Sequence, residues 1–304
     1  MSPQPKLPII DVSDFDVDES RRARVTQSVN QALQESGFMY VVGHGLDPLL
    51  IAAAFAELRK FFAQPAEFKQ RFAYTDVVSN FGYQGIEGER LNPQQLPDLK
   101  ESFTMRNALG VAEQHSRWPD DGFRETSLRF YVAAFAAAHR LLRILTECLQ
   151  LPDDFFRQRH RGENVTLRWL HYPANLPARS AEQLGAGAHT DYGSITLLFQ
   201  DSVGGLELLG SDGAWHEAPP VSDAIVINTG DLMERWTNGR FRSTVHRVRP
   251  VAGLRDRYSI ALFVDPDSSV EVECIASCAS ESNPVRYSPI TAAEHLRLKI
   301  AATH

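Results

Sequence analysis

His189 and Asp191 stand two residues apart at the mouth of an apolar run, Ile195-Thr196-Leu197-Leu198-Phe199. An imidazole and a carboxylate that converge on one point are two thirds of a metal site. Side chains on a strand alternate between faces, so this spacing predicts that both point into the same interior. A third ligand should also sit inward on a strand, and Arg242-Ser243-Thr244-Val245-His246-Arg247-Val248 offers one. Thr244, His246 and Val248 share a face there, while Arg247 and Arg249 point the opposite way. With ten histidines and 38 acidic residues in the chain, a His-x-Asp triplet alone carries little weight, and a lone inward histidine reads as a core residue. The three together form a donor set.

Two imidazoles and one carboxylate on one face of an octahedron leave three positions for reactants, the arrangement of non-haem Fe(II) oxygenases. A zinc hydrolase with the same donors calls for a nearby general base, as in His-Glu-x-x-His, and the chain contains no such motif. Downstream of His246 the chain instead supplies a cation, in Arg257-Tyr258-Ser259-Ile260-Ala261-Leu262-Phe263. Arg257 and Ser259 share a face with Ala261 and Phe263, which aims a guanidinium and a hydroxyl into an apolar interior. A buried arginine is costly without an anion, and its fork fits a carboxylate bidentately. The pattern therefore asks for a small carboxylate-bearing ligand beside the metal. In Thr166-Leu167-Arg168-Trp169-Leu170-His171-Tyr172-Pro173, alternation puts Arg168, Leu170 and Tyr172 on one side, so Tyr172 is placed to reach the same carboxylate.

The elements that must hold these residues are short β runs divided by Gly, Pro, Asn and Asp: Val165–Tyr172, Ile195–Gln200, Leu206–Leu209, Trp215–Glu217, Ala224–Asn228, Arg242–Val248 and Tyr258–Val264. Their spacing predicts a barrel or sandwich of roughly eight strands, the number of a jelly roll. A long helix over about 124–149 carries a broad stripe of Leu128, Tyr131, Val132, Phe135, Ala138, Leu142, Leu145 and Leu149 and reads as its backing. Upstream, a helix near 20–36, a buried strand Phe38–Val42 and a helix opening at Asp47-Pro48 form a helix–strand–helix module. Residues 73–122 are broken by glycines and prolines, as functional loops are, with a short strand near Glu101–Met105. We divide the chain into residues 1–120, a flanking region, and 121–304, the backing helix, core and C-terminal helix, expected to form one compact unit. Phe103, Phe199 and Phe263 are candidates by position to line a substrate pocket, and Tyr83, Arg90 and Arg106 to recognise polar groups. His44, His171, Trp215 and Trp236 read as structural.

Composition narrows the partners. The 304 residues, 43% hydrophobic, suffice for a large core. A net charge of −7 argues against nucleic acid or an anionic membrane surface, which leaves a small molecule as the expected partner. Three cysteines, Cys148, Cys274 and Cys278, form no metal-type pair and fit a reducing compartment. Met1-Ser2-Pro3-Gln4-Pro5-Lys6 lacks an apolar signal core and the chain has no apolar stretch of membrane length, so a cytoplasmic location is expected.

The set His189-Thr190-Asp191, His246 and Arg257-Tyr258-Ser259 resembles the HxD…H…RxS signature of the 2-oxoglutarate- and Fe(II)-dependent oxygenases, and more narrowly their isopenicillin N synthase-like branch. Pro8-Ile9-Ile10-Asp11, Gly37-Phe38, Val42-Gly43-His44-Gly45, Leu170-His171-Tyr172-Pro173, Gly204-Gly205-Leu206 and Asn228-Thr229-Gly230-Asp231 extend the likeness over nearly the whole chain, in order. The resemblance implies a double-stranded β-helix, Fe(II) on His189, Asp191 and His246, and the distal carboxylate of 2-oxoglutarate on Arg257 and Ser259 with help from Tyr172. It also implies use of O2, release of succinate and CO2, and oxidation of an unactivated C–H of a small molecule by hydroxylation, desaturation or cyclisation. Many plant members have Asn-Tyr-Tyr-Pro where this chain has Leu170-His171-Tyr172-Pro173, so the Asn contact is absent here while Tyr172 is retained. Isopenicillin N synthase itself turns its Arg-x-Ser pair to the substrate's carboxylate and needs no 2-oxoglutarate. That leaves a cosubstrate-independent oxidase, or a catalytically silent jelly-roll binding protein, as the other readings.

Overall fold

The computed structural model describes residues 7–75, 79–174, 176, 180, 183–250, 253 and 255–303; the Pro-rich start, residues 1–6, lies outside them. The amino-terminal part runs β1 (Ile9–Asp11), α1 (Glu19–Glu35), β2 (Phe38–Val42), α2 (Pro48–Phe62), α3 (Ala66–Gln70), β3 (Phe81–Gln84) and β4 (Glu101–Arg106). After the long α4 (Asp121–Cys148) come β5 (Val165–Tyr172), β6 (Ala186–His189), β7 (Ile195–Gln200), β8 (Leu206–Leu209), β9 (Trp215–Glu217) and β10 (Ile225–Thr229). The chain ends through α5 (Asp231–Trp236), β11 (His246–Val248), β12 (Arg257–Val264), β13 (Glu271–Val272), β14 (Ile290–Thr291) and α6 (Ala292–Thr303).

Three helices start where an aspartate can satisfy an orphan N–H. Asp18, Asp47 and Asp120 accept from the backbone N–H groups of Arg21, Leu49 and Phe123 at 2.7–2.8 Å. Helix α1 stops at Gly37, whose φ of +69° suits glycine and where a Cβ would lie 2.2 Å from the carbonyl oxygen of Arg242. Helix α4 buries Phe130, Tyr131, Leu141, Leu142 and Leu145. Each such side chain contributes about 1.5–3 kcal/mol by leaving water. No helix among the described residues is long and apolar enough to cross a membrane.

Eight strands form a major sheet in the order β1-β2-β10-β7-β12-β5-β4-β3, and four form a minor sheet, β6-β11-β8-β9. The two make the jelly roll, and the amino-terminal strands β1–β4 are built into its major sheet. The outer face of that sheet, with Leu167, Trp169, Leu197, Ile260 and Leu262, joins the core shared with α1, α2 and α4. Its inner face meets the minor sheet through Leu170, Tyr172, Val226 and Ala261.

Cross-strand register sorts the inner face into rows. Arg106, Thr166, Phe263, Thr196 and Asn228 lie side by side on β4, β5, β12, β7 and β10. Thr104, Arg168, Ala261, Leu198 and Val226 make the next row, then Ser102, Leu170, Ser259 and Gln200, and finally Tyr172 beside Arg257. This parity corrects two expectations. Phe103 and Phe199 project from the outer face, where Phe103 packs on Phe123 at 4.9 Å and Phe199 on Phe130 at 5.0 Å between ring centroids.

His160 ties the segment before β5 to the start of β7. Its Nδ1–H donates to the Phe156 carbonyl and its Nε2 accepts from Ser194 Oγ, both at 2.8 Å. Burial pushes its pKa from 6.5 down to about 4. The unfolded chain then binds the extra proton between those values, so stability held above pH 6.5 is lost as pH falls toward 4. At 1.4 kcal/mol per unit the loss reaches about 3 kcal/mol. We expect urea unfolding of a His160→Gln variant to show a shallower pH dependence than the wild type between pH 7 and 4.5, and an equal slope removes this assignment. Some slope remains, because His295 is also pushed down to about 4 by burial.

Candidate metal centre and adjoining cavity

His189 closes β6 and pairs in register with His246 of β11, their ring centroids 4.4 Å apart. Asp191 lies beyond the strand end, in the turn before β7, so strand alternation is not what brings it inward. It is held instead by its partners. Asp191 Oδ2 accepts from Thr196 Oγ1 at 2.6 Å and Asn228 Nδ2 at 2.7 Å, and its backbone oxygen accepts from the Asp231 N–H at 2.8 Å. Gly230 permits that approach, since a Cβ there would meet the Asp191 carbonyl oxygen at 2.7 Å.

The two histidines are oriented in the same manner. Nδ1–H of His189 donates to the Gly187 carbonyl at 2.7 Å and Nδ1–H of His246 to the Thr244 carbonyl at 3.1 Å. Each Nε2 then carries its lone pair toward Asp191 Oδ1, at 3.9 Å from His189 and 3.7 Å from His246. Those are distances for groups that share a third body rather than bond to each other. All three ligand atoms lie within 4.8 Å of one another. Burial, then the neighbouring His246, pushes the His189 pKa down to about 4. Burial works against a charge on Asp191, but the two imidazoles and the bonds from Asn228 and Thr196 hold its carboxyl below the usual range. A neutral imidazole at His189 and an anionic carboxylate at Asp191 are the protonation states in which those groups bind a divalent cation. The residues therefore fit Fe(II). Because supporting bonds of this kind typically carry 10–100-fold in metal affinity, Asn228→Ala should weaken Fe(II) binding by about that factor in an anaerobic titration, and an unchanged affinity would make Asn228 structural only.

The triad opens into a cavity of about 220 Å3 between the sheets. Arg257, Ser259 and Tyr172 all line it. The Arg257 guanidinium is 1% exposed and sits 4.6 Å above the Tyr172 ring. Nη1 donates to Ser259 Oγ at 3.3 Å and Nη2 to Gln200 Oε1 at 3.4 Å, while buried Nε has no partner. Among the described residues, no carboxylate pairs with Arg257. Gln200, whose Nε2 is likewise buried without a partner, escapes a reading of the sequence by strand alternation alone because only the cross-strand pairing with Ser259 brings it here. Spare buried donors beside the metal donors suit an anionic oxygen ligand.

Phe263 lines the cavity, as do Arg90 and Arg106, whereas Tyr83 faces the helices and bonds to Glu101. Sequence patterning also misses a buried charge cluster on the cavity wall. Arg168 donates to both oxygens of Glu89 at 3.1 and 2.9 Å, and Lys100 pairs with Glu89 at 2.9 Å and with Asp98. Asp98 Oδ1 accepts from the Gly187 N–H at 2.9 Å, which links this cluster to the carbonyl that orients His189. His171 lies on the outer face between Glu101 at 2.7 Å and Asp256 at 3.0 Å, stacked on Tyr258.

A jelly roll with two histidines and one carboxylate at its mouth and a buried arginine within defines a non-haem iron oxygenase. Comparison with known proteins agrees. Residues 152–266 match the 2OG-Fe(II) oxygenase superfamily, and residues 7–121 match the non-haem dioxygenase in morphine synthesis N-terminal family. A 2-oxoglutarate-Fe(II) type oxidoreductase of Emericella nidulans is 33% identical, with 95% of this chain and 88% of that protein covered. The crystal structure of a full-length Neurospora crassa protein in complex with alpha-KG and thymine superposes with a TM-score of 0.86 at 31% identity, covering 98% of this chain and 97% of that one. JOX2, in complex with 2OG, Fe and JA, gives a TM-score of 0.83 at 27% identity, over 99% of this chain and 87% of that one. The chain belongs to the 2OG-Fe(II) oxygenase superfamily. Its cofactors are Fe(II) and 2-oxoglutarate, with O2 as co-substrate.

Proposed function

We propose that His189, Asp191 and His246 hold Fe(II), and that Arg257 and Ser259, with Tyr172 and Gln200, bind the distal carboxylate of 2-oxoglutarate in an enzyme that oxidises an unactivated C–H of a small molecule. One observation carries the cosubstrate assignment: a buried guanidinium that pairs with no carboxylate among the described residues shares a cavity with the metal donors. Iron with 2-oxoglutarate and O2 supplies oxidative decarboxylation to succinate and CO2 coupled to oxidation of a C–H bond. The chain's residues bind, orient and exclude. Tyr172 packs against the guanidinium plane and keeps its fork toward the cavity. Thr196 and Asn228 occupy Asp191 Oδ2 and leave Oδ1 for the metal. Leu170, Leu206 and Val248 make the walls apolar, which strengthens the ion pair that Arg257 would form.

Hydroxylation, desaturation and ring closure all use this arrangement; the small-molecule ligands named for the Neurospora crassa and JOX2 structures support the substrate size. A cytoplasmic location belongs to the same reading, supported by the unpaired Cys148, Cys274 and Cys278. The test is O2-dependent conversion of 2-oxoglutarate to succinate by the iron-loaded protein, run across a metabolite panel. Turnover of a substrate with no consumption of 2-oxoglutarate would instead assign Arg257 to the substrate's own carboxylate.

A further inference from the structure

Past the triad, the cavity runs to the row of Arg106, Thr166 and Phe263, three residue pairs along β12 from Arg257. Thr196 and Asn228, the two side chains that hold Asp191, continue that row, so it lies level with the metal donors. Asp265 comes directly after β12 and lines the same cavity. Its carboxylate occupies the space over Gly193, where a Cβ would stand 1.4 Å from Asp265 Oδ1. Among the described residues, that carboxylate accepts no hydrogen bond and forms no ion pair. Among the described residues, Arg106 gives one side-chain hydrogen bond, to Asn164 Oδ1, and keeps its other donors.

The other cations on the wall are differently placed. Arg168 is engaged by Glu89 and Ser102, Lys100 by Glu89 and Asp98, and Arg90 stands exposed at the rim. An acid and a guanidinium thus face one cavity within electrostatic reach of each other but unpaired. Both would gain from a ligand that carries the complementary groups.

We propose that Arg106 and Asp265 are the substrate-recognition pair, and that the substrate is a small polar molecule presenting an N–H or ammonium donor to Asp265 and a carboxylate or carbonyl to Arg106, with its carbon frame against Phe263. The inference rests on the Arg257 end of the cavity being the 2-oxoglutarate site, which leaves this end for the substrate. Burial pushes the Asp265 carboxyl up to about 7, and a donor placed beside it restores the carboxylate. The class includes amino acids and cyclic amides or imides, and excludes hydrocarbon-like substrates that would strand both groups.

The probes are the common L-amino acids and a set of cyclic amides and imides, compared with cycloalkyl carboxylic acids and alcohols of the same size that lack N–H. Succinate release above the substrate-free rate should be stimulated by members of the first group. The KM of the stimulating compound should rise about 10–100-fold in Asp265→Asn and in Arg106→Gln, the loss of a charged hydrogen bond. The anaerobic 2-oxoglutarate affinity should stay the same. Silence of the N–H panel, stimulation confined to compounds without N–H, or an unchanged KM in both variants overturns the proposal. Loss of 2-oxoglutarate affinity in both variants overturns it too, by assigning the pair to the scaffold. A wild type that binds no 2-oxoglutarate sinks the cosubstrate reading instead.

Discussion

A His246→Ala variant releases no succinate above the buffer control, at any 2-oxoglutarate concentration, while it folds and melts close to the wild type. The loss of turnover comes from the donor set. Substituting residues that merely orient metal ligands costs about 10–100-fold, and deleting one of three ligands removes an inner-sphere bond outright. The retained stability comes from how little the His246 ring holds together: ring contacts with His189 at 4.4 Å and with Phe38 at 5.3 Å between centroids, and one hydrogen bond to the Thr244 carbonyl. A loss of about 1 kcal/mol is the ordinary cost of such a change. Circular dichroism and thermal melting, run beside the succinate assay and an Fe(II) titration, separate the two effects. Full retention of turnover would remove His246 from the metal shell.

Arg257→Met raises the 2-oxoglutarate concentration for half-maximal rate by about two orders of magnitude, and does so without lowering the melting temperature of the protein measured alone. Two charge-assisted bonds to a carboxylate are worth about 3 kcal/mol at the low end of their range, and every 1.4 kcal/mol is a factor of ten. The stability half runs against intuition for a residue 1% exposed. Among the described residues, the guanidinium finds the Tyr172 ring and hydrogen-bonds to the neutral oxygens of Ser259 and Gln200, at long distances, with no carboxylate to balance its charge. A buried charge so weakly compensated does not stabilise, and an apolar side chain of similar length is neutral or better there. An unchanged requirement for 2-oxoglutarate would assign Arg257 elsewhere. A sharply lowered melting temperature would make it structural.

Much of this architecture is legible in the sequence where the physics is local. The turn-bounded β runs locate β5 and β7 to the residue, and the N-cap Asp47 marks α2 by a side chain that bonds two residues ahead. Legibility fails where placement depends on a distant partner. Arg242–Val248 reads as one strand, yet only His246–Val248 joins a ladder. Upstream of it, the Arg242 N–H bonds to Leu33, and Thr244 Oγ1 to the Ser36 carbonyl. Ala186–His189 has small residues and no alternation to announce a strand.

Face parity is the sharper case. Phe103, Phe199 and Phe263 are alike in sequence, but the pairing of Phe263 with Thr196 and Thr166 puts it inside and Phe199 and Phe103 outside. The metal site shows the same division. His189, Asp191 and His246 stand out by residue type, although the geometry that joins Asp191 to them is a turn fixed by Thr196 and Asn228 rather than the strand alternation that spacing suggests. Those two supporting residues, Gln200 and Asp265 come from other strands or beyond a strand's end, and no local pattern connects them to the site.

Metal donors and the Arg257 pocket should act on one ligand. Adding Fe(II) and then 2-oxoglutarate to the protein under strict exclusion of oxygen, and recording the visible spectrum, reads this out. A cosubstrate chelated to iron at this site should produce a metal-to-ligand charge-transfer band that saturates with 2-oxoglutarate, disappears in His246→Ala and shifts to much higher concentration in Arg257→Met. A protein that binds Fe(II) but shows no band at any 2-oxoglutarate concentration would contradict the account.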